Sequence, residues 1–299
     1  MNASAASAPL VATFIARPDA GSALAAVLAD AAALPGAGAP DWLSPGEAVD
    51  LPFAPSSDTA SIEAMIGDRP VDVVVQKASE RRKRLLVADM DSTMIGQECI
   101  DELADMAGLK PFVAAITERA MRGEIAFEPA LRERVALLKG LPLSVIDEVL
   151  ASRIRLTPGG PELVRTMRAH GGYAALVSGG FTLFTGPVAA MIGFDENRAN
   201  QLEHESGVLS GTVTEPILGQ EAKLSALMDL SRRLKLERHE TLAIGDGAND
   251  LSMIRAAGLG VAFRAKPKVA AEADARINHT DLTALLFAQG YRRQDFAKA

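Results

Sequence analysis

The chain has 299 residues, 48% of them apolar, enough to bury at least one large core and a length between one domain and two. Its net charge of −7 leaves no surplus of Lys and Arg to neutralise a phosphate backbone, which excludes duplex nucleic acid as the expected partner and favours a small ligand. The segment Met1–Val11 lacks the basic start and apolar run of a signal peptide, no later stretch reaches the roughly 18 apolar residues of a membrane span, and the single cysteine, Cys99, reads as a small core residue in a reducing compartment, so the expectation is a cytoplasmic protein without a membrane partner.

In chain order, Leu10–Ala16 reads as a strand, Gly21–Leu34 as an alanine-rich helix and Val71–Val75 as a second strand, a small βαβ-like unit. Between them, Pro35–Pro55 is dense in Gly, Pro, Ala and Ser and reads as a separator. The basic run Arg81–Arg84 is expected to be a solvated turn leading into Leu85–Ala88, an apolar run of the kind that forms a fully buried parallel strand. From Ile95 to about Arg155 the pattern is helical, punctuated by Gly108, Gly123 and Gly140 and by Pro111 and Pro142 near helix starts. Alternation then resumes with a helix over Pro161–Ala169, a strand over Ala174–Val177 and a helix from about Phe181. A hairpin is expected over Gln201–Thr214, a helix over Glu221–Leu234, and strands over Thr241–Ile244 and Leu259–Phe263. The whole reads as α/β, a Rossmann-like parallel sheet covered by helices on both faces.

In such a sheet the ligand lies beyond the carboxyl ends of the strands, so the residues after each apolar run matter most. Those positions hold Asp89-Met90-Asp91-Ser92-Thr93, Ser178-Gly179-Gly180 and Gly245-Asp246-Gly247-Ala248-Asn249-Asp250. Carboxylates crowded at one crevice repel unless a cation neutralises them, and oxygen ligands suit magnesium. Asp89, at a strand end, is suited to attack phosphorus and form an aspartyl phosphate. Asp91 is suited to protonate the leaving oxygen and then activate water. Lys223 would offset charge on the phosphoryl oxygens, with Ser178 and the amides of Gly179 and Gly180, at an expected helix start, as donors.

These residues resemble the four motifs of the haloacid dehalogenase superfamily. More narrowly, Asp-x-Asp-Ser-Thr with Glu98, the stretch Phe127–Val135 and Val177–Phe181 resemble the phosphoserine phosphatases. The resemblance covers about Arg84 to Gly290 and implies a core over residues 81–94 and 156–299, a helical cap over 95–155, and a short, degenerate ACT-like unit over 1–80. It implies Mg2+ held by Asp89, the Asp91 carbonyl and Asp246, with Asp250 behind them. Glu98 would meet a substrate ammonium and Arg134 its carboxylate, Asn249 would help place the substrate, and Met121 and Phe127 would shield the pocket. The expected reaction is hydrolysis of phosphoserine, the last step of serine biosynthesis. Alternatives are another small phosphomonoester such as phosphohomoserine or phosphothreonine, transfer to an alcohol, or a receiver that stores the aspartyl phosphate, which Asp91 argues against. The N-terminal unit is a candidate amino-acid sensor, dimerisation element, giving a homodimer, or cover for a sheet edge.

Overall fold

The computed structural model describes residues 9–121 and 124–298, and the side chain of Met121, like Gly123, lies outside what is described. The strands, in chain order, are β1 Leu10–Ala16, β2 Asp41–Ser44, β3 Ala48–Phe53, β4 Val71–Lys77, β5 Leu85–Ala88, β6 Tyr173–Phe181, β7 Glu196–Asn200, β8 Leu202–Glu205, β9 Val208–Val213, β10 Thr241–Gly245, β11 Leu259–Phe263 and β12 Ala275–Ile277. The helices are α1 Gly21–Ala32, α2 Thr59–Ala64, α3 Cys99–Met106, α4 Lys110–Met121, α5 Phe127–Leu137, α6 Ser144–Ser152, α7 Gly160–Ala169, α8 Thr182–Ile192, α9 Gln220–Leu234, α10 Leu251–Ala256, α11 Pro267–Ala270 and α12 Ala284–Ala288.

A six-stranded sheet in the order β12-β11-β10-β5-β6-β7 is parallel throughout, as the alternation of strands and helices implied. The residues of β5 are buried on both faces. Successive side chains of a strand point to opposite faces, so Leu85 and Val87 join a core with Leu227 and Leu230 of α9. Leu86 and Ala88 join the core that holds Leu163 and Met167 of α7 and Phe184 of α8. Helices α3 to α6 interrupt the chain between β5 and β6, and the two connecting segments are stitched together where Gly96 N donates to Arg155 O at 3.1 Å and Thr157 N to Met94 O at 3.0 Å. The expected hairpin is β8–β9, turning at Ser206 and Gly207, which both take the positive φ that a two-residue hairpin loop of this hand requires (49° and 82°). Its tip braces the helical insert, since Gly140 N donates to Leu209 O and Leu209 N to Leu141 O, each at 2.8 Å.

The N-terminal unit departs from the sequence reading. Pro35–Pro55 is no separator but contains β2 and β3, and the sheet, in the order β2-β3-β1-β4, is antiparallel rather than βαβ-like. Its apolar side chains, among them Phe14, Leu24, Leu51 and Ile62, form a separate core. Nor is the whole of Arg81–Arg84 solvated: Arg82 and Arg84 are exposed, but Arg81 is partly buried and Lys83 fully so. Arg81 bonds Asp50 at 2.6 and 3.0 Å and also the carbonyls of Phe287 and Ala288, and Lys83 is buried with its ammonium on the carbonyls of Glu80 and His239. Arg81 thereby ties the small sheet to α12, which packs on the large sheet's side of the molecule.

The second tie is the buried Asp72, whose carboxylate accepts from the backbone N–H groups of Asn278, His279 and Thr280 and from Thr280 Oγ1. Asp72→Ala strands those donors in a dry interface and should cost about 2–4 kcal/mol. Urea unfolding would detect it as a lower midpoint, and a change within ~0.5 kcal/mol would show the interface to be wet.

Candidate active site

Asp89 directly follows strand β5, and its N–H donates to Ile244 O of β10 at 3.0 Å, so the carboxylate starts from fixed backbone. The chain then makes one wide turn over Met90–Met94 in which Ser92 adopts φ 55°, a strained conformation for a residue with a Cβ and of the kind that clusters at functional sites. The turn brings Asp91 back to the crevice. Its Oδ1 accepts from Cys99 N at 3.0 Å and its Oδ2 lies 3.4 Å from Ser178 Oγ. Cys99 itself is buried, and burial together with nearby Asp91 pushes its thiol far above the ordinary range, in keeping with a core residue.

Ser178-Gly179-Gly180 lies within β6, not at a helix start as the sequence suggested, because β6 runs on to Phe181 before α8 begins. Gly180 N donates to Ser178 Oγ at 2.8 Å, and a Cβ on Gly180 would sit 3.1 Å from both Asp91 Oδ2 and Ser178 Oγ. Buried Asn200, which the sequence reading passed over, donates to Gly179 O at 2.9 Å and Leu218 O at 3.2 Å and accepts from Leu218 N. It clamps the glycine strand to the segment that leads into α9.

From α9, Lys223 reaches the floor of the crevice. It is 2% exposed and bridges Asp89 Oδ1 at 2.7 Å and Asp250 Oδ1 at 2.6 Å. Burial alone would lower its pKa, but the two carboxylates outweigh burial and raise it. Asp250 is fully buried, and its Oδ2 accepts from Gly247 N at 3.0 Å. Gly245 is required beneath it, since a Cβ there would fall 2.2 Å from the Asp250 carboxyl carbon. Asp246 accepts from Thr93 Oγ1 at 3.3 Å.

Oxygens of Asp89, Asp246 and Asp250 lie within 4.8 Å of one another. Burial and crowding raise the proton affinity of Asp89 and Asp246. Burial first, then Asp250, drives Asp89 well up against the pull of Lys223, and the same two causes lift Asp246 to about 6. Burial also raises Asp91. An all-oxygen, multiply anionic cluster is the donor set of a hard divalent cation. Both Asp250 oxygens are already engaged, which leaves Asp89 and Asp246 as the more available ligands.

The helical insert roofs a cavity of about 590 Å³ over this floor. Glu98, just before α3, accepts from Ser92 Oγ at 2.7 Å and lines the cavity. The concave walls withdraw it from bulk water despite its exposed surface, and this partial burial, with Asp91 near by, raises its pKa. Arg134, half-buried on α5, is steadied by Ala130 O at 3.2 Å and more loosely by Thr117 Oγ1 at 3.5 Å. It makes no ion pair with a carboxylate among the described residues. Asn249 lines the core side, and the ring of Phe127, 40% exposed, lies against Gly179 and Gly219, closing the gap between insert and core. Asp101 and Lys266 also line the cavity and were not singled out from the sequence. Helical spacing from Glu98 could have found the first, and position just after the apolar run of β11 the second.

A phosphoserine phosphatase of Mycobacterium tuberculosis is 42% identical over 241 residues, covering 80% of this chain and 59% of its own length. One from Polaromonas is 46% identical over 208 residues, covering 68% of this chain and 88% of its own length. The chain spans about three fifths of the length of several of the curated relatives it matches. Among solved structures, a HAD family hydrolase from Salmonella enterica serovar Typhi superposes with a TM-score of 0.84 at 29% identity, covering 94% of this chain and 98% of that one, so the likeness extends to the N-terminal sheet. Residues 86–255, from β5 through the cap and on to α10, match the haloacid dehalogenase-like hydrolases, and the chain belongs to that family.

Proposed function

We propose that this phosphatase hydrolyses O-phospho-L-serine to serine and phosphate through a phosphoryl group carried on Asp89, completing serine synthesis in the cytoplasm. The observation that carries the reading is the pairing of two half-sites in one cavity. Asp89 stands on the floor, held by Lys223 at 2.7 Å, while Glu98 and Arg134 face the same space from the roof. A zwitterionic amino-acid head asks for one anion and one cation, and these two are of the right kind.

Asp89 attacks phosphorus, forming an oxygen–phosphorus bond as the bond to the serine oxygen breaks, and Asp91 gives that oxygen a proton. Asp91 then takes a proton from water, which attacks the phosphorus of the aspartyl phosphate and releases inorganic phosphate and the Asp89 carboxylate. Lys223, Ser178 and the amides around Gly179 and Gly180 offset the charge on the transferring oxygens. Asn249, on the core wall of the same cavity, positions the substrate, and Phe127 shields the pocket from water. Asp89, Asp246 and the Asp91 carbonyl, backed by Asp250, would hold a magnesium ion, which would supply positive charge to offset that of the carboxylates and of the phosphoryl group. The N-terminal sheet is a candidate for self-association, which would give a homodimer.

Arg134→Ala tests the substrate. Loss of the cation should leave the substrate carboxylate unpaired and cut kcat/KM for phosphoserine by about a hundredfold, because remote binding energy also orients the ester. For p-nitrophenyl phosphate, which lacks both head groups, the loss should stay within about threefold. Equal losses would mean that Arg134 is structural and that another phosphomonoester is the substrate.

A further inference from the structure

Among the residues that line the cavity, five carboxylates (Asp89, Asp91, Glu98, Asp101, Asp246) face two cations, Arg134 and Lys266. A phosphoryl dianion approaching Asp89 must pass walls of its own sign. Arg134 is on the cap wall and its guanidinium is already steadied by Ala130 O and Thr117 Oγ1. Lys266 is on the opposite, core wall, exposed, and its ammonium makes no ion pair with any described residue.

The placement of Lys266 is built into the fold. Two residues earlier, Arg264 takes φ 45°, held there by its N–H on Ile277 O at 2.9 Å and its guanidinium on Thr280 O at 3.1 Å. This turn at the carboxyl end of β11 sends the chain back to the crevice. There Lys266 N donates to Asp246 O at 3.2 Å, and Lys266 O accepts from Val269 N and Ala270 N at the start of α11. The backbone is fixed from both sides while the side chain stays free at the rim. Its charge is felt by Glu98 across the mouth.

We propose that Lys266 captures the phosphoryl dianion at the rim and steers it past the carboxylate walls, setting how well the enzyme takes up dianionic esters. This rests on the phosphatase reading but not on phosphoserine as the substrate. A lysine suits capture followed by release, because its compact, hydrated ammonium attracts an anion without the bidentate grip of a guanidinium. An exposed cation acts through the field in water, so its effect should fade as salt shortens the Debye length.

The test uses the full chain with magnesium, and the Lys266→Gln, Lys266→Arg and Lys266→Glu variants, with phosphoserine and p-nitrophenyl phosphate as substrates. Ionic strength would run from about 0.02 M to about 0.5 M. Lys266→Gln should lower kcat/KM about fivefold at low ionic strength for both esters, change kcat by less than about twofold, and flatten the salt dependence. Lys266→Arg should restore most of the loss, and Lys266→Glu should deepen it. A salt dependence unchanged by Lys266→Gln, a parallel fall in kcat, or a loss confined to phosphoserine would each overturn the proposal. If phosphoserine were not turned over at all while p-nitrophenyl phosphate kept the salt signature, the capture role would stand and the substrate reading alone would fall.

Discussion

Asp89→Asn should abolish turnover, with a fall in kcat of about 10⁴-fold or more, because a neutral amide does not attack phosphorus and the reaction loses its covalent route. The change is nearly isosteric, and Lys223 keeps a carboxylate partner in Asp250 at 2.6 Å, so the fold should hold. Without metal the variant should even match or exceed the parent in thermal stability, since the replaced group is a buried anion beside two other carboxylates. The decisive measurement is mass spectrometry of acid-quenched enzyme after mixing with substrate. The parent should carry one phosphoryl group on Asp89 and the variant none. A phosphoryl group found on Asp91 or Ser92 would refute the assignment of the nucleophile.

Lys223→Met should damage both activity and stability. Methionine fills the same channel without charge, leaving Asp89 and Asp250 buried, close and uncompensated. Removing one member of a buried ion cluster costs about 3–5 kcal/mol, and the lower end applies here because Asp89, already pushed toward protonation by burial, can take up a proton instead of remaining charged. The kcat should fall by about a thousandfold, since the charge on the transferring oxygens loses its fixed cation. Urea unfolding in chelator would read the stability loss, and added magnesium should recover part of it by binding only the folded cluster. A variant as stable as the parent in chelator would mean that Lys223 does not hold the two carboxylates together.

The two variants separate roles that one buried cluster joins. Asp89→Asn removes the nucleophile and keeps the electrostatic frame, whereas Lys223→Met keeps the nucleophile and breaks the frame. Their opposite effects on stability without metal, alongside losses of activity in both, distinguish a chemical defect from a structural one.

Continuous apolar runs made β5, β10, β11 and the start of β6 legible in the sequence, because a strand buried on both faces has no use for polar residues. The helical insert and the Ser206-Gly207 hairpin were legible for equally local reasons, helical periodicity and a turn that needs positive φ. The order of the motifs along the chain, with each acidic or glycine-rich cluster directly after an apolar run, also foretold that they would meet at one edge of one sheet.

What the tertiary structure alone decided was everything whose partner is distant in the chain. Strand β7 is polar, reading Glu-Asn-Arg-Ala-Asn, because it lies at a sheet edge where Glu196 pairs with Arg198 and Arg233 instead of packing in a core. Strands β2 and β3 hide in a Pro- and Gly-rich stretch because they are defined by pairing with each other and with β1, not by their own propensity. Arg81 and Lys83 look like solvated charges until Asp50 and the carbonyls of Phe287, Ala288 and His239 arrive from elsewhere to receive them. Lys266 follows the apolar run of β11, which marks a strand-end position, but the sequence does not show what turns it inward. It faces the crevice only because the strained turn at Arg264 and the bond to Asp246 O bring it there, and neither is visible until the strands are side by side. Local pattern fixes which segments form strands and helices, since burial and backbone geometry act within a few residues, whereas the charge and shape of the site follow from long-range packing that no local window contains.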